Sequence, residues 1–157
     1  MTFFGRTTLL ALASCAALLS SAVSAGATII LYAQSSGAGQ TDSAAFTPMP
    51  GLQITLPAVA GKSHYALVML DVPNPFATGN NFPGGTFGIS VNGTVQPIIG
   101  VFTSDSQIPQ SAGRKPVTVI LRVPLTSSTQ TVTGVWQNVR GSSVRFDTPN
   151  SLSAILE

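Results

Sequence analysis

The chain has little cysteine, little histidine and little charge, and these scarcities exclude most catalytic chemistries. Its one cysteine is Cys15, inside an N-terminal apolar stretch, and its one histidine is His64. The remainder therefore has no disulfide, no thiolate metal site and no thiol nucleophile. A serine hydrolase also lacks support, because the chain has no Gly-x-Ser-x-Gly elbow. We expect a protein that is not an enzyme and needs no cofactor.

Charged residues make up 8% of the chain, against about 25% in a typical domain. Without Arg6, which lies near the N-terminus, the chain has six basic and five acidic residues. This balance gives no support to nucleic-acid binding, which needs lysine and arginine clustered on one face. Hydrophobic residues reach 44%, so the chain can bury a core while its surface is built from uncharged polar residues. Low charge also fits a surface partly covered by a partner.

The first 25 residues have the three parts of a secretory signal. Arg6 provides a positive start, residues 7–22 are apolar or small, and Val23-Ser24-Ala25 places small residues at a cleavage site. The sequence predicts a signal peptide over 1–25 and one domain over 26–157, secreted or periplasmic, with no membrane span after cleavage. A cysteine-free exported domain favours a bacterial host.

A second processing route stays open. Residues 12–15, Leu-Ala-Ser-Cys, resemble a lipobox, in which Cys15 would be lipidated and become the first residue of the mature chain. Against this alternative, the apolar stretch continues after Cys15, where a lipoprotein normally has a polar tether. The lipoprotein is therefore the minority hypothesis for localisation.

Period-two alternation recurs along the chain, whereas no stretch keeps helical spacing for three turns. Apolar and polar residues alternate near 52–56, 87–91, 117–123, 144–146 and 152–156. In a strand such apolar residues share one face. Eight or nine short strands without a helix predict an all-β fold, an antiparallel β-sandwich of the jelly-roll type. Ile120 is the position that breaks the polar side of its strand.

Residues 65–70 are apolar at every position. This predicts a central strand covered on both faces, by the core on one side and by a sheet edge, a loop or another subunit on the other. Tyr65, Leu67 and Met69 share one side of this strand. We predict that they form an oligomer interface.

Turns and loops complete this prediction. Asn92-Gly93 lies between apolar runs and predicts a type I′ hairpin, and Arg140-Gly141 predicts another turn. Residues 73–85 and 103–116 are predicted to be long loops. Residues 35–51, rich in serine, glycine and alanine, are predicted to be an irregular crossing or a mobile segment.

The order of these segments resembles that of bacterial tumour necrosis factor-like jelly rolls, which include complement-type globular heads. The resemblance covers residues 52–157. It rests on residues 64–72, the hairpin 86–102, the strand 117–124 and the final strand 151–156. Unlike many such proteins, the chain has no Gly-X-Y stalk and no acidic Gly-Asp turn before Val132. The resemblance implies a non-enzymatic recognition head, often trimeric, whose last strand is central.

Binding is expected at the long loops, because ordered loops on a β scaffold usually carry function. Phe76 and Phe82 in the 73–85 loop are candidate sugar platforms, with Asn80 and Asn81 beside them, whereas Trp136 is expected in the core. The first hypothesis is an exported, non-catalytic sandwich that binds a partner or assembles as a homo-oligomer. The alternative is a carbohydrate-binding module that uses the 73–85 loop.

Two further possibilities use the dispersed carboxylates. Asp71, Asn74 and Asp105 could offer oxygen ligands to calcium if the two long loops meet, although Asp and Asn also favour ordinary turns. A hydrolase that uses Asp71 and Asp105 would need the two carboxylates to face each other. Because these residues are far apart in sequence, both possibilities depend entirely on the fold.

Overall fold

The computed structural model describes residues 28–59, 64–79, 82–104 and 114–157. In these ranges the chain forms eleven strands and no helix, which confirms the all-β prediction. The strands are β1 (Ile30–Gln34), β2 (Gly39–Thr41), β3 (Thr47–Leu56), β4 (Tyr65–Val72), β5 (Phe76–Thr78), β6 (Gly84–Val91), β7 (Thr94–Thr103), β8 (Val117–Pro124), β9 (Gln130–Val139), β10 (Ser143–Phe146) and β11 (Ser151–Leu156).

Two four-stranded antiparallel sheets form the sandwich. The first sheet has the order β1-β11-β4-β8 and the second has the order β3-β9-β6-β7. The last strand, β11, lies between β1 and β4, as the resemblance drawn from the sequence implied. Because consecutive strands of the first sheet are far apart in sequence, the chain repeatedly crosses between the sheets, which is the jelly-roll arrangement.

A third, three-stranded sheet has the order β2-β10-β5, and we call it the end sheet. Each of its strands lies on a passage between the two large sheets: β2 between β1 and β3, β5 between β4 and β6, and β10 between β9 and β11. Three crossovers therefore pair with one another where the chain leaves one large sheet for the other. The end sheet collects residues that are distant in sequence on one surface.

The core lies between the inner faces of the two large sheets. Alternate residues of β4 are fully buried, and an aromatic cluster joins Phe87, Trp136 and Phe146, with Phe102 stacked on Phe87. Trp136 is 2% exposed, which confirms its expected place in the core. Period-two alternation produces this core directly, since every second side chain of a strand points inward.

Several sequence predictions are corrected. Residues 35–51 contain β2 and the start of β3, and residues 73–85 contain β5 and the first residues of β6. The sequence did not reveal these strands for two reasons. The segments are rich in glycine and proline, and their partner strands come from distant parts of the chain and not from a neighbouring hairpin. Strand β1 was not predicted either, and the total exceeds the eight or nine strands expected.

The β6–β7 hairpin confirms the Asn-Gly signal. Asn92 and Gly93 have φ values of 50° and 80°, the left-handed pair that a type I′ turn needs. The Asn92 side-chain Oδ1 accepts a hydrogen bond of 2.8 Å from the Thr131 N–H, which ties the turn to β9. The turn is therefore specified by its own residues and by one neighbour.

Replacing Gly93 with alanine is expected to lower the free energy of unfolding by about 1–2 kcal/mol. A Cβ at this position would meet nothing within 4 Å, so the cost arises from the backbone conformation alone. Urea denaturation measures it, and Thr94→Ala, one residue outside the two central turn positions, is the control. Equal urea midpoints for Gly93→Ala and Thr94→Ala would contradict the assignment of Gly93 to a type I′ turn.

Candidate binding surfaces

The outer face of the first sheet carries an uncovered apolar surface. Cross-strand register aligns Ile30, Ile155 and Leu67 in one row and Tyr32, Ser153, Met69 and Ile120 in the next. The large side chains of these rows are between 38% and 65% exposed. We call this set the apolar face; it comprises Ile30, Tyr32, Leu67, Met69, Ile120 and Ile155.

Polar groups border the apolar face on two sides. On one side the Asp71 carboxylate accepts a hydrogen bond of 2.8 Å from the Thr118 hydroxyl. On the other side the Arg122 guanidinium lies 3.7 Å from the centre of the Tyr65 ring and 3.8 Å from a Glu157 carboxylate oxygen. An apolar centre with a polar rim is typical of a protein interface.

The predicted interface residues are brought together only in part. Leu67 and Met69 lie in the apolar face, whereas Tyr65 lies at its rim beneath Arg122. The expectation that β4 is covered on both faces is wrong for the single chain: within the described residues neither a sheet edge nor a loop covers its outer side. Ile30, Tyr32 and Ile155 were missed, although Ile120 had already signalled an apolar outer face.

A second apolar patch lies on β7, an edge strand of the second large sheet. Ile98, Ile99 and Val101 are between 45% and 56% exposed. We call these residues the β7 edge patch. A long apolar edge strand without a cover promotes uncontrolled association, so natural proteins usually pair or cover such an edge.

Phe76 and Phe82 lie in different environments. Phe76 is half-buried on β5, with the Arg114 guanidinium 4.6 Å from its ring centre. Phe82 is 46% exposed, and Arg140 donates a hydrogen bond of 3.0 Å to its carbonyl. Each ring therefore pairs with its own arginine. The sequence reading did not connect these arginines with the two rings, because the pairs are 38 and 58 residues apart.

The predicted calcium ligands are only partly described. Asp105 lies outside the described residues, as do Asn80 and Asn81 of the predicted sugar site. Asp71 is bonded to Thr118 at the rim of the apolar face, and the Asn74 carbonyl accepts a hydrogen bond from Arg114. Within the described ranges no group of three or more histidine, cysteine or acidic residues converges on a point. The calcium site and the paired-carboxylate hydrolase stay predictions.

Asp147 and Arg114 form an ion pair beside Phe76. Hydrogen bonding from Arg114, strengthened by its charge, lowers the pKa of the Asp147 carboxyl below its ordinary value. At Asp42 the pKa is also lowered, first by a hydrogen bond from Ser143 and then by one from Gln40. Both groups are therefore more acidic in the folded protein than in the unfolded chain.

The stability contributed by these two carboxylates is expected to be present at neutral pH and to be lost as the pH falls below about 4. Stability falls in acid because the folded-state pKa of each carboxyl is lowered, so protonation favours the unfolded chain. Thermal unfolding measured between pH 6 and pH 3 tests this expectation. The Asp147→Asn variant should show a shallower acid dependence than Asp71→Asn, and identical profiles would contradict the role of the Arg114 pair.

His64 precedes β4, where it is exposed and its Nδ1 lies 3.3 Å from the Glu157 carbonyl oxygen. Among the described residues no helix is long and apolar enough to cross a membrane.

The fold and its surfaces define an antiparallel jelly-roll β-sandwich of the binding-module class, with one face of a large sheet left apolar. The family model for the Bc2l-C N-terminal domain matches residues 36–155. The chain belongs to this family. A comparison with curated proteins gives no match.

Proposed function

We propose that this chain is an exported, non-catalytic binding head that assembles as a homotrimer. The observation that carries the proposal is the apolar face, six large side chains that a single chain leaves open to water. Exposed apolar patches of this kind usually mark an interaction site on an otherwise soluble domain. The very low charge of the chain agrees with partial coverage of its surface.

The assembly is proposed to be head-to-tail, with the apolar face of one subunit against the β7 edge patch of the next. Two different exposed patches suit such a heterologous contact, which closes into a ring when the rotation permits. The same contact would cover the β7 edge and prevent its uncontrolled pairing with other chains. An interface that pairs the apolar face with itself would leave that edge open.

Three subunits, glycan binding and the absence of catalysis are supported by the family. The Bc2l-C N-terminal domain is a lectin-type, trimeric, tumour necrosis factor-like head. The strand order of this chain, with the last strand central, agrees with the resemblance drawn from the sequence. Export is proposed on the signal-like residues 1–25 alone, and the lipidated form through Cys15 is the minority alternative.

Light scattering on a sizing column tests the assembly with residues 26–157, the chain left after the proposed cleavage. The expected mass is that of three chains. A mass of one chain across the accessible concentration range would overturn the proposal, and the apolar face would then need a different partner. A mass of two chains would favour an interface that pairs the same patch on both subunits.

A second candidate function, carbohydrate binding, concerns the end sheet and the loop that follows β5. Phe82 is the exposed aromatic ring there, with Arg140 beside it. An exposed ring next to hydrogen-bond donors is a common arrangement for sugar recognition. Loss of binding on a glycan array after Phe82→Ala, with the oligomer mass unchanged, is the expected result.

A further inference from the structure

Arginines and phenylalanines alternate along one surface of the end sheet. The antiparallel pairing of β5 and β10 places Arg145 opposite Phe76 and Ser143 opposite Thr78. Both pairs point outward, because Ala77 and Val144 between them are buried. The turn between β9 and β10 places Arg140 beside Phe82. We call this surface the arginine ribbon; it comprises Phe76, Thr78, Phe82, Arg140, Ser143 and Arg145.

The ribbon is continuous between its two ends. A Cβ on Gly79 would lie 3.3 Å from the Ser142 Cβ, so Gly79 packs tightly against the turn after β9. Ser142 in turn donates from its hydroxyl to the Gly84 carbonyl at 2.7 Å. Arg140 and Arg145 are five residues apart in sequence, so their backbones lie within about 17 Å of each other. A few linked sugar residues span this length.

The Phe82 end is held in an unusual backbone conformation. Phe82 and Arg140 have φ values of 43° and 56°, in the left-handed region that bulky residues rarely occupy. The Arg140 guanidinium bonds the Phe82 carbonyl and lies 5.9 Å from the ring centre. Strained residues of this kind tend to occur at functional sites, and the Phe82 ring is exposed.

The two ribbon arginines retain binding capacity. Within the described part of the chain, the ion pairs join Arg114 to Asp147 and Arg122 to Glu157, and neither Arg140 nor Arg145 has a carboxylate oxygen within 4.0 Å. Asp42 lies near Arg145, but it is bonded to Ser143 and Gln40. Both guanidiniums are exposed, and a guanidinium binds a planar carboxylate through two parallel hydrogen bonds.

We propose that the arginine ribbon binds an acidic polysaccharide, with Arg140 and Arg145 each pairing with a uronic-acid carboxylate. Phe82 would contact the C–H face of a sugar ring, and the Thr78 hydroxyl would bond a sugar hydroxyl between the two carboxylates. This inference rests on the proposed binding function and specifies its ligand class. It does not depend on the trimer, because one chain supplies the whole ribbon.

A sugar acid fits the ribbon better than a nucleic acid does. Single-strand binding needs a strongly positive groove and open ring faces on which bases stack. Here Asp42 and Asp147 lie near the ribbon, and Arg114 already covers the Phe76 ring. The ribbon offers two available arginines beside acidic groups, which falls short of the strongly positive groove that a phosphate backbone needs.

The test uses residues 26–157 and a galacturonic acid oligomer as the probe, titrated by calorimetry at low salt. Binding to this probe is expected, with weaker binding at higher salt and none to a neutral glucose oligomer of the same length. Arg140→Gln and Arg145→Gln should each lower the affinity about tenfold, the effect of losing one charged hydrogen-bonding pair. Arg122→Gln removes the same charge from the rim of the apolar face and should leave the affinity unchanged.

Other outcomes overturn the inference. Equal binding of the neutral oligomer, unchanged affinity in both ribbon variants, or no binding of the acidic oligomer would each remove it. Equal binding of single-stranded DNA would assign the ribbon to polyanions in general, and binding of dextran sulfate alone would remove the carboxylate assignment. Light scattering on each variant separates these failures from failure of the proposed assembly, since the trimer mass should stay the same throughout.

Discussion

The double variant Leu67→Glu, Met69→Glu is expected to run as a monomer, whereas the natural sequence is expected to run as the proposed trimer. Leu67 and Met69 are only 38% and 39% exposed in the single chain, so the main cost is the introduced charge, which costs several kcal/mol when it is buried without a partner. Even part of this cost reduces the association constant at least about a thousandfold. Light scattering at matched chain concentration measures the change.

The control places the same two charges on the other large sheet. Gln53 and Thr55 are exposed on β3, outside both the apolar face and the β7 edge patch, so Gln53→Glu with Thr55→Glu should keep the trimer mass. Circular dichroism on both double variants checks that the strands remain. A folded Leu67→Glu, Met69→Glu variant that keeps the trimer mass would place the interface elsewhere.

Trp136→Ala is expected to cause the largest loss of stability of any single substitution considered, about 3–5 kcal/mol. Trp136 is the largest of the fully buried side chains, and its ring lies 5.0 Å from the Phe146 ring and 6.3 Å from the Phe87 ring. The substitution leaves a cavity between two sheets whose positions are set by many other contacts, so the space cannot simply collapse.

Urea denaturation at equal chain concentration measures the Trp136→Ala effect, because assembly contributes to apparent stability. Thr55→Ala, on the exposed side of β3, is the control and should shift the free energy of unfolding by no more than about 0.5 kcal/mol. A loss below about 1 kcal/mol for Trp136→Ala would mean that the core repacks, contrary to the close packing expected of protein interiors.

Local patterns predicted the local features well. The alternation in 117–123 placed Val117, Val119 and Val123 on the buried side of β8, and the Asn92-Gly93 pair predicted a turn whose φ values are those observed. Both signals act over a few residues, since side-chain alternation and turn conformation depend mainly on immediate neighbours. Strands β2 and β5 lacked such signals because each has only three residues.

The two binding surfaces show where sequence reasoning stopped. Leu67 and Met69 were assigned to an interface from the composition of β4 alone, but Ile155 and Ile120 join them only because β11 and β8 pair with β4 on either side. Likewise, Phe76 and Phe82 were selected as exposed aromatics, whereas the β5–β10 pairing places Arg145 opposite Phe76 and the turn before β10 places Arg140 beside Phe82.

The sequence by itself determined that this protein is an all-β domain with alternate apolar residues and Trp136 turned inward, because hydrophobic burial acts on each strand's own alternation. The tertiary structure decided which strands are neighbours, and with them the apolar face and the arginine ribbon. Strand adjacency depends on pairing between segments as much as 125 residues apart, such as Ile30 with Ile155, and no local pattern encodes it.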